Sequence, residues 1–292
     1  MSAVDIKLEE LPHQAEAVQS TLDVFSGVRV IAARDKESNP NIVLDRKTIE
    51  ENVADIQKGE GSIKKAIAPE HRRSLREDYL GIDIHMETGT GKTYTYTRTM
   101  FEMNRLLGVS KFIVVVPSVA IKRGTVDFLT ASYVRRHFKD KYGNVELRVH
   151  VVEPRSGKLL AMPQAVSDYY NGSTQDKKII HVLVVNSGML KTNETSALNR
   201  SDYDGTLGGV FTRPYDAIRH TKPVVIIDEP HKFKRSGTTF KVITEQLKPQ
   251  VLIRYGATYP YAKPPRRRTR SHHGILIISS ILSAPWSRSI RG

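Results

Sequence analysis

Residues 80–93 read LGIDIHMETGTGKT, from Leu80 to Thr93, and this stretch decides the fold class. A short apolar segment from Leu80 to Met86 feeds the turn Thr88-Gly89-Thr90-Gly91 and then a helix predicted from Lys92 to about Leu107, with Gly108 as its stop. A strand, a glycine-rich turn and a helix in that order are the context a phosphate-binding loop requires. Glycine lets backbone N–H groups converge on an anion, because a Cβ would block the approach and the needed dihedrals. The helix start adds the positive end of its dipole. Lys92 supplies a full charge at the β- and γ-phosphates of a nucleotide, and the Thr93 hydroxyl is a hard oxygen ligand for Mg²⁺. The strict pattern wants glycine where this chain has Met86. The plain alternative is an ordinary glycine-rich turn, and the registration of Gly, Lys and Thr behind a strand argues against it.

Downstream, Lys111 to Val116 (KFIVVV) is a continuous apolar, β-branched run of strand length. Such runs suit strands covered on both faces, as in a parallel sheet. Three more follow, at Leu147–Val152, Ile179–Val185 and Val224–Ile227, separated by polar or helix-patterned stretches. Strands alternating with helices predict an α/β fold with a mostly parallel sheet. The last of these runs ends in Asp228-Glu229-Pro230-His231. Ligands of open parallel sheets bind at the C-terminal ends of strands, so this motif and the loop at Lys92 can meet over one nucleotide. There Asp228 would hold Mg²⁺ through its water shell, and Glu229 would orient and deprotonate the attacking water. An acidic pair alone reads as a solvated turn; coupled to the loop it reads as chemistry. Lys92, Asp228 and Glu229 are the expected catalytic set. His231 would sense the γ-phosphate, although a lone histidine is more often structural.

Upstream, residues 11–28 place Leu11, Ala15, Val18, Leu22 and Phe25 at helical spacing, while residues 29–80 are polar and charged and read as an insertion with one or two short helices. The chain has 292 residues, 39% of them apolar, and a formal charge of +14, which calls for an anionic partner, most commonly nucleic acid. Cysteine is absent, which excludes disulfides, cysteine–zinc sites and thiol catalysis. No run reaches the roughly 18 apolar residues of a membrane span, and the first residues lack the signal-peptide pattern, so no membrane partner and a cytoplasmic location are expected. Residues 262–292 break the pattern, with seven Lys/Arg, no Asp or Glu, six serines and the single tryptophan, Trp286. They read as a disordered tail of frame-changed or unrelated sequence, or as a nucleic-acid-binding extension. Residues 1–261 read as one domain and keep +7 of the charge.

The ordered series Gln14, Thr88 to Thr93, Pro117-Ser118, Asp228 to His231, then Gly256-Ala257-Thr258 resembles the first motor domain of a superfamily 2 helicase, whose loops also lack the first glycine. The wording METGTGKTYTY, FIVVVPSVAIKRGT and IIDEPHKF resembles the Res subunit of type III restriction enzymes, over about Leu11 to Tyr261. The resemblance implies a RecA-like P-loop NTPase sheet with helices on both faces, ATP and Mg²⁺ as cofactors, and double-stranded DNA and a DNA-methylating Mod subunit as partners. It implies that Gln14 reads adenine, which a glutamine amide can do from both edges; an exposed helix glutamine is the alternative. His231 could also link to the neighbouring half of the motor. Pro117 and Ser118, with the charges of Lys122 and Arg123 downstream, would touch the nucleic-acid backbone; a Pro-Ser turn with exposed basic residues is the alternative. Asn186-Ser187 resembles a further strand end of that kind. Ala257 and Thr258 would couple ATP state to nucleic-acid grip. By the same resemblance, the second RecA-like domain with its arginine fingers and the downstream nuclease are expected to lie outside these residues, leaving a chain that binds ATP but does not cut DNA alone. A catalytically silent nucleotide- or DNA-binding fragment, and a different superfamily 2 motor such as an RNA-remodelling helicase, are the competing readings; the latter usually has Ala where this chain has Pro230.

Overall fold

The computed structural model describes residues 8–58, 79–153, 161–234, 237–257 and 278–280. An amphipathic helix, α1 (Pro12–Asp23), is followed by a two-stranded hairpin, β1 (Val30–Ile31) and β2 (Asn41–Ile42), and by α2 (Arg46–Lys58). Then come β3 (Leu80–His85), α3 (Lys92–Leu107), β4 (Lys111–Val116), α4 (Val119–Thr130), α5 (Ser132–Tyr142), β5 (Glu146–Val151), α6 (Gln164–Asn171) and β6 (Ile179–Asn186). The described chain closes with α7 (Pro214–His220), β7 (Val224–Asp228), α8 (Thr238–Lys241), β8 (Val251–Gly256) and β9 (Ile278–Ser280).

Six strands run parallel in the order β5-β6-β4-β7-β8-β3, and β9 lies antiparallel on the outer edge of β3. The apolar runs of β4, β6, β7 and β8 behave as their composition predicts, whereas β5 is an edge strand whose residues stay exposed or half-buried, against the expectation of cover on both faces. Along β4, Phe112, Val114 and Val116 face one hydrophobic cluster while Ile113 and Val115 face the other, the period-two alternation of a strand covered on both sides. Helices α1 to α5 supply one cover, through residues such as Val18, Ile49, Tyr96, Met100, Leu129 and Phe138. Helices α6 and α7 and the π-helical turn Val242–Leu247 supply the other, through Val166, Tyr169, Tyr215, Ile218 and Ile243. Each fully buried Val, Leu or Ile is worth about 1.5–3 kcal/mol relative to exposure. This is the RecA-like α/β sheet implied by the sequence.

The strand boundaries fall within a residue or two of the runs, and the helix after the loop matches its expected span. Helix α1 is shorter than the apolar spacing: it stops at Asp23, and Val24 and Phe25 enter the core from a turn closed by Gly27 at φ 69°. Residues 29–45 are more than a polar insertion. The buried Asn39 amide donates to the carbonyls of Lys111 and Lys222 and accepts from the N–H groups of Ser110 and Lys111, at 2.8–3.0 Å. One side chain thereby satisfies the starts of β4 and β7 and sews this segment to the N-terminal edge of the sheet. Of the second half of the expected insertion, residues 59–78 lie outside the described residues; of the tail, only β9 is described. Among the described residues no helix is long and apolar enough to cross a membrane.

Two buried polar clusters brace the sheet. Asp83 on β3 and Arg254 on β8 are register partners and form a two-pronged ion pair, with Arg254 Nη2 at 2.5 Å from Asp83 Oδ2. Breaking a buried pair on one side strands a charge and costs about 3–5 kcal/mol, whereas an apolar replacement of both partners is often neutral or better. Arg254→Met should therefore lower unfolding stability by that order in denaturant titrations, and Asp83→Leu/Arg254→Met should recover most of it. The second cluster holds Lys111, whose Nζ donates to the carbonyls of Tyr169 and Tyr170, and the stacked rings of His150 and His181, 3.1 Å apart between Nε2 and Nδ1. Burial, helped by the nearby Lys111 charge, pushes His150 down to about 4 and His181 to about 3. An unfolded chain takes up these protons near 6.5, so stability contributed by the neutral pair is intact above that pH and drains away as pH falls toward 4 and 3. The thermal midpoint should drop between pH 6.5 and 4, and replacing both histidines by glutamine should flatten that slope.

Candidate functional site

All six parallel strands end on one edge, and there the order β4-β7-β8-β3 sets the Pro117 turn, the acidic pair, Ala257 and the glycine-rich loop side by side. The loop starts as a continuation of pairing, because the Met86 N–H donates to the Gly256 carbonyl at 3.0 Å. The Met86 side chain is buried in the core beneath the loop, which gives the departure from the strict glycine pattern a packing role. Thr90 donates through Oγ1 to the Glu87 carbonyl at 2.7 Å, and Gly89 and Gly91 hold φ of 83° and 80°. At Gly91 the requirement is double. A Cβ there would also lie 2.3 Å from Gln14 Nε2.

Gln14 is not an exposed helix residue. It is 5% exposed, its Oε1 accepts from the Leu11 N–H at 3.1 Å, and its Nε2 donates to the Thr90 carbonyl at 3.0 Å. His13 Nε2 lies 3.0 Å from the same carbonyl, which selects the tautomer protonated at Nε2. The start of α1 thus clamps the loop at its tip. The Leu11-Pro12-His13-Gln14 stretch as a whole resembles the adenine-reading element, and His13 has no separate role in that expectation.

The acidic pair comes from β7. Glu229 sits at φ 55°, ψ 61° while its N–H still pairs with the Tyr255 carbonyl at 3.0 Å. A left-handed conformation at a non-glycine residue costs about 1–2 kcal/mol, and here it turns the carboxylate across the sheet edge. Glu229 Oε1 lies 3.0 Å from Lys92 Nζ, and Oε2 lies 3.2 Å from His231 Nδ1. Lys92 is 8% exposed and also donates to the Glu87 carbonyl at 3.3 Å. Asp228 is buried beside them, and its Oδ1 has no hydrogen-bond partner. Burial raises its carboxyl to about 6, against the pull of Lys92 and with the push of Glu229. Lys92, Asp228, Glu229, His231, Gly91, Thr93 and Gln14 are therefore brought into one neighbourhood, with Thr88 and Gly89 exposed at its rim.

The orphaned, desolvated carboxylate oxygen of Asp228 suits a hard divalent cation that keeps several waters and takes its remaining ligands from phosphate, and the half-buried Thr93 follows Lys92 at the start of α3. Among the described residues no cluster of three or more His, Cys, Asp or Glu could hold a metal without such a partner.

The expected nucleic-acid contacts divide. Ser118 caps α4 by accepting from the Ile121 N–H at 3.3 Å, and the Pro117 carbonyl accepts from Ser187 Oγ at 2.7 Å, so the ends of β4 and β6 are tied together. Arg123 is exposed. Lys122 is a correction: it is 3% exposed, and its Nζ donates to the Val152 carbonyl at 3.0 Å and pairs with Glu153 at 2.9 Å. Its helical position points it inward at the end of β5, not out toward a backbone phosphate. Ala257 is half-buried at the end of β8, and Thr258 lies outside the described residues.

Comparison with known proteins follows this geometry. The family described as "Type III restriction enzyme, res subunit" matches residues 7–261. The chain is 38% identical over 266 residues to the type III restriction-modification enzyme EcoP15I Res subunit of Escherichia coli, covering 86% of this chain and 26% of that protein. It is 38% identical over 264 residues to the EcoPI Res subunit of Escherichia phage P1, with 86% and 26% covered. Identity to the StyLTI Res subunit of Salmonella typhimurium is 34% over 262 residues, with 88% and 23% covered. The chain spans about a quarter of the length of each of these relatives. Among solved structures, the Sulfolobus solfataricus SWI2/SNF2 ATPase core in complex with dsDNA matches with a TM-score of 0.34 and 13% identity, over 78% of this chain and 34% of that one.

The burial of Lys122 is open to direct test. Lys122→Met should lower the thermal midpoint, because it leaves the buried Val152 carbonyl unpaired at a cost of about 1–3 kcal/mol. A weakened affinity for duplex DNA with an unchanged midpoint would restore the backbone-contact role.

Proposed function

The chain belongs to the Res-subunit family of type III restriction enzymes, and on that premise we propose that it is an ATP-binding, DNA-dependent ATPase motor domain that works with a Mod methyltransferase subunit in restriction. The observation that carries the reading is the 3.0 Å contact between Lys92 Nζ and Glu229 Oε1 across β8. It brings the phosphate-loop charge and the acidic pair within reach of one triphosphate.

In this reading the amides from Thr88 to Gly91 and the N-terminus of α3 cradle the phosphates, and Lys92 exchanges its contact with Glu229 for the β- and γ-phosphate oxygens. That exchange frees Glu229 to orient a water at the γ-phosphate and accept its proton. His231, 3.2 Å from the other oxygen of Glu229, would register whether Glu229 is engaged. Thr93 and Asp228 would hold Mg²⁺, which when bound neutralises the phosphate charge. Gln14 retains one amide proton and one oxygen lone pair beyond the contacts described, enough for adenine to be read without releasing the loop. Pro117, Ser118 and Arg123 would face the duplex, with Ala257 and Thr258 conveying nucleotide state to that grip.

Replacing Lys92 by alanine removes a full positive charge at the phosphates, and hydrogen bonds to charged groups are worth about 1.5–3 kcal/mol. Affinity for a fluorescent ATP analogue with Mg²⁺ should fall ten- to a hundredfold in Lys92→Ala, and any DNA-stimulated phosphate release by the wild type should vanish. Equal affinity in the two proteins would refute the nucleotide site, and binding without release in the wild type would identify a binding module.

A further inference from the structure

Glu10 is a residue that neither the expected motifs nor the site above employs. Its carboxylate is gripped from two sides, by Arg98 of α3 at one oxygen and by Lys141 of α5 at the other. The Glu10 and Arg98 side chains are largely withdrawn from water, at 23% and 15% exposed. The two helices are joined without this carboxylate. Arg98 Nε donates to the Tyr142 hydroxyl at 3.4 Å, that hydroxyl donates to Glu102 Oε1 at 2.9 Å, and Phe101 stacks on Tyr142 with ring centres 5.0 Å apart. Cations from two different helices thus converge on an acid that belongs to neither.

What the grip fixes is the approach to α1. Glu10 shares a peptide plane with Leu11, and the Leu11 N–H is the donor that Gln14 Oε1 accepts at 3.1 Å. Leu11 stands at the N-cap and makes no side-chain cap hydrogen bond, so the helix start lacks the usual polar anchor. The Gln14 amide is oriented by two backbone partners, this donor on its oxygen and the Thr90 carbonyl at 3.0 Å from its nitrogen. One proton and one oxygen lone pair then remain for a base. Adenine offers an N7 acceptor and an N6 donor, whereas guanine offers acceptors at both N7 and O6. Adenine therefore satisfies both remaining groups of the amide, and guanine leaves its oxygen facing an acceptor.

We propose that Glu10 is a specificity-determining positioning residue: anchored to α3 by Arg98 and to α5 by Lys141, it holds the peptide whose N–H orients the Gln14 amide, and so sets the preference for adenine over guanine nucleotides. The inference rests on the adenine-reading role given to Gln14 above. Freed from its cations, Glu10 no longer fixes that peptide, and the amide loses the donor that distinguishes its oxygen end from its nitrogen end. The phosphate loop keeps its own bracing, because Thr90 Oγ1 and Lys92 Nζ both donate to the Glu87 carbonyl from within it.

The test uses Glu10→Gln, which removes the charge and keeps the shape, Arg98→Gln, and the two combined. Binding of ATP, GTP and inorganic tripolyphosphate, each with Mg²⁺, is measured by titration calorimetry. In Glu10→Gln the preference for ATP over GTP should shrink about tenfold through weaker ATP binding, as expected when one hydrogen bond to the base is lost, while tripolyphosphate affinity holds. Arg98→Gln should show a smaller loss, and the double variant no more than Glu10→Gln alone. Should Glu10→Gln fail to fold, Lys141→Gln, which releases one oxygen only, carries the same readout. An undiminished preference for ATP, or a loss equal for ATP, GTP and tripolyphosphate, would overturn the positioning role. Additive losses would overturn the anchorage through Arg98. A wild type that binds ATP and GTP alike would instead remove the adenine-reading role of Gln14 on which the inference stands.

Discussion

Parallel strands cannot be joined by tight turns, so each connection between the six parallel strands must leave the C-terminal edge, cross a face and re-enter at the N-terminal edge. That constraint places the C-terminal ends of β4, β7, β8 and β3 in one row. It also explains why two motifs more than a hundred residues apart come together. β3 and β7 are separated by β8, so their ends stand about two strand spacings apart, roughly 10 Å. A lysine from one side and a glutamate from the other close that gap, and the Lys92–Glu229 contact is the result. The continuous apolar runs are the thermodynamic condition for this geometry. The four central strands are buried on both faces, and the edge strand β5 is held in parallel register by β6.

The site is built against local energetic preference, and the sheet absorbs the cost. Lys92 and Glu229 are both largely withdrawn from water, Asp228 is desolvated enough to raise its carboxyl to about 6, and Glu229 adopts a left-handed backbone. A buried ion pair seldom adds much net stability, since desolvation offsets attraction. The arrangement is better understood as preorganisation. Groups fixed in a dry pocket before phosphate arrives need not be reorganised afterwards, and the same low dielectric strengthens their hold on a triphosphate.

Much of this was legible in the chain before folding. KFIVVV and VVIID carry their strand identity in their own composition, and METGTGKT carries its turn in the two glycines that must take positive φ. What was not legible depended on partners distant in sequence. Lys122 sits in a basic, polar stretch and reads as a surface charge, yet the end of β5 lies beneath it and takes its ammonium. Asn39 reads as part of a polar excursion, because only the fold reveals that the starts of β4 and β7 need a side chain with two donors and two acceptors between them. Gln14 was identifiable as a candidate by its place in the first turn of the first helix, but whether it faced water or the loop was a tertiary question.

The two edges of the sheet treat polar groups differently, and that asymmetry argues for function at one of them independently of any motif. At the N-terminal edge Asn39 uses all of its hydrogen-bonding capacity, Thr174 and Ser38 bond backbone carbonyls, and Lys111 is met by two more. Among the described residues, the buried atoms of Tyr96, Asn186 and Asp228 that lack a hydrogen-bond partner belong to residues at or beneath the C-terminal edge, while His181 Nε2 lies on the other side and Glu10 Oε1 and Arg98 Nη1 face each other as an ion pair. A core selected only for stability would satisfy both ends alike, because each orphan costs as much at one as at the other. Unsatisfied donors and acceptors concentrated where the glycine loop opens are what a fold keeps when a ligand supplies the missing partners.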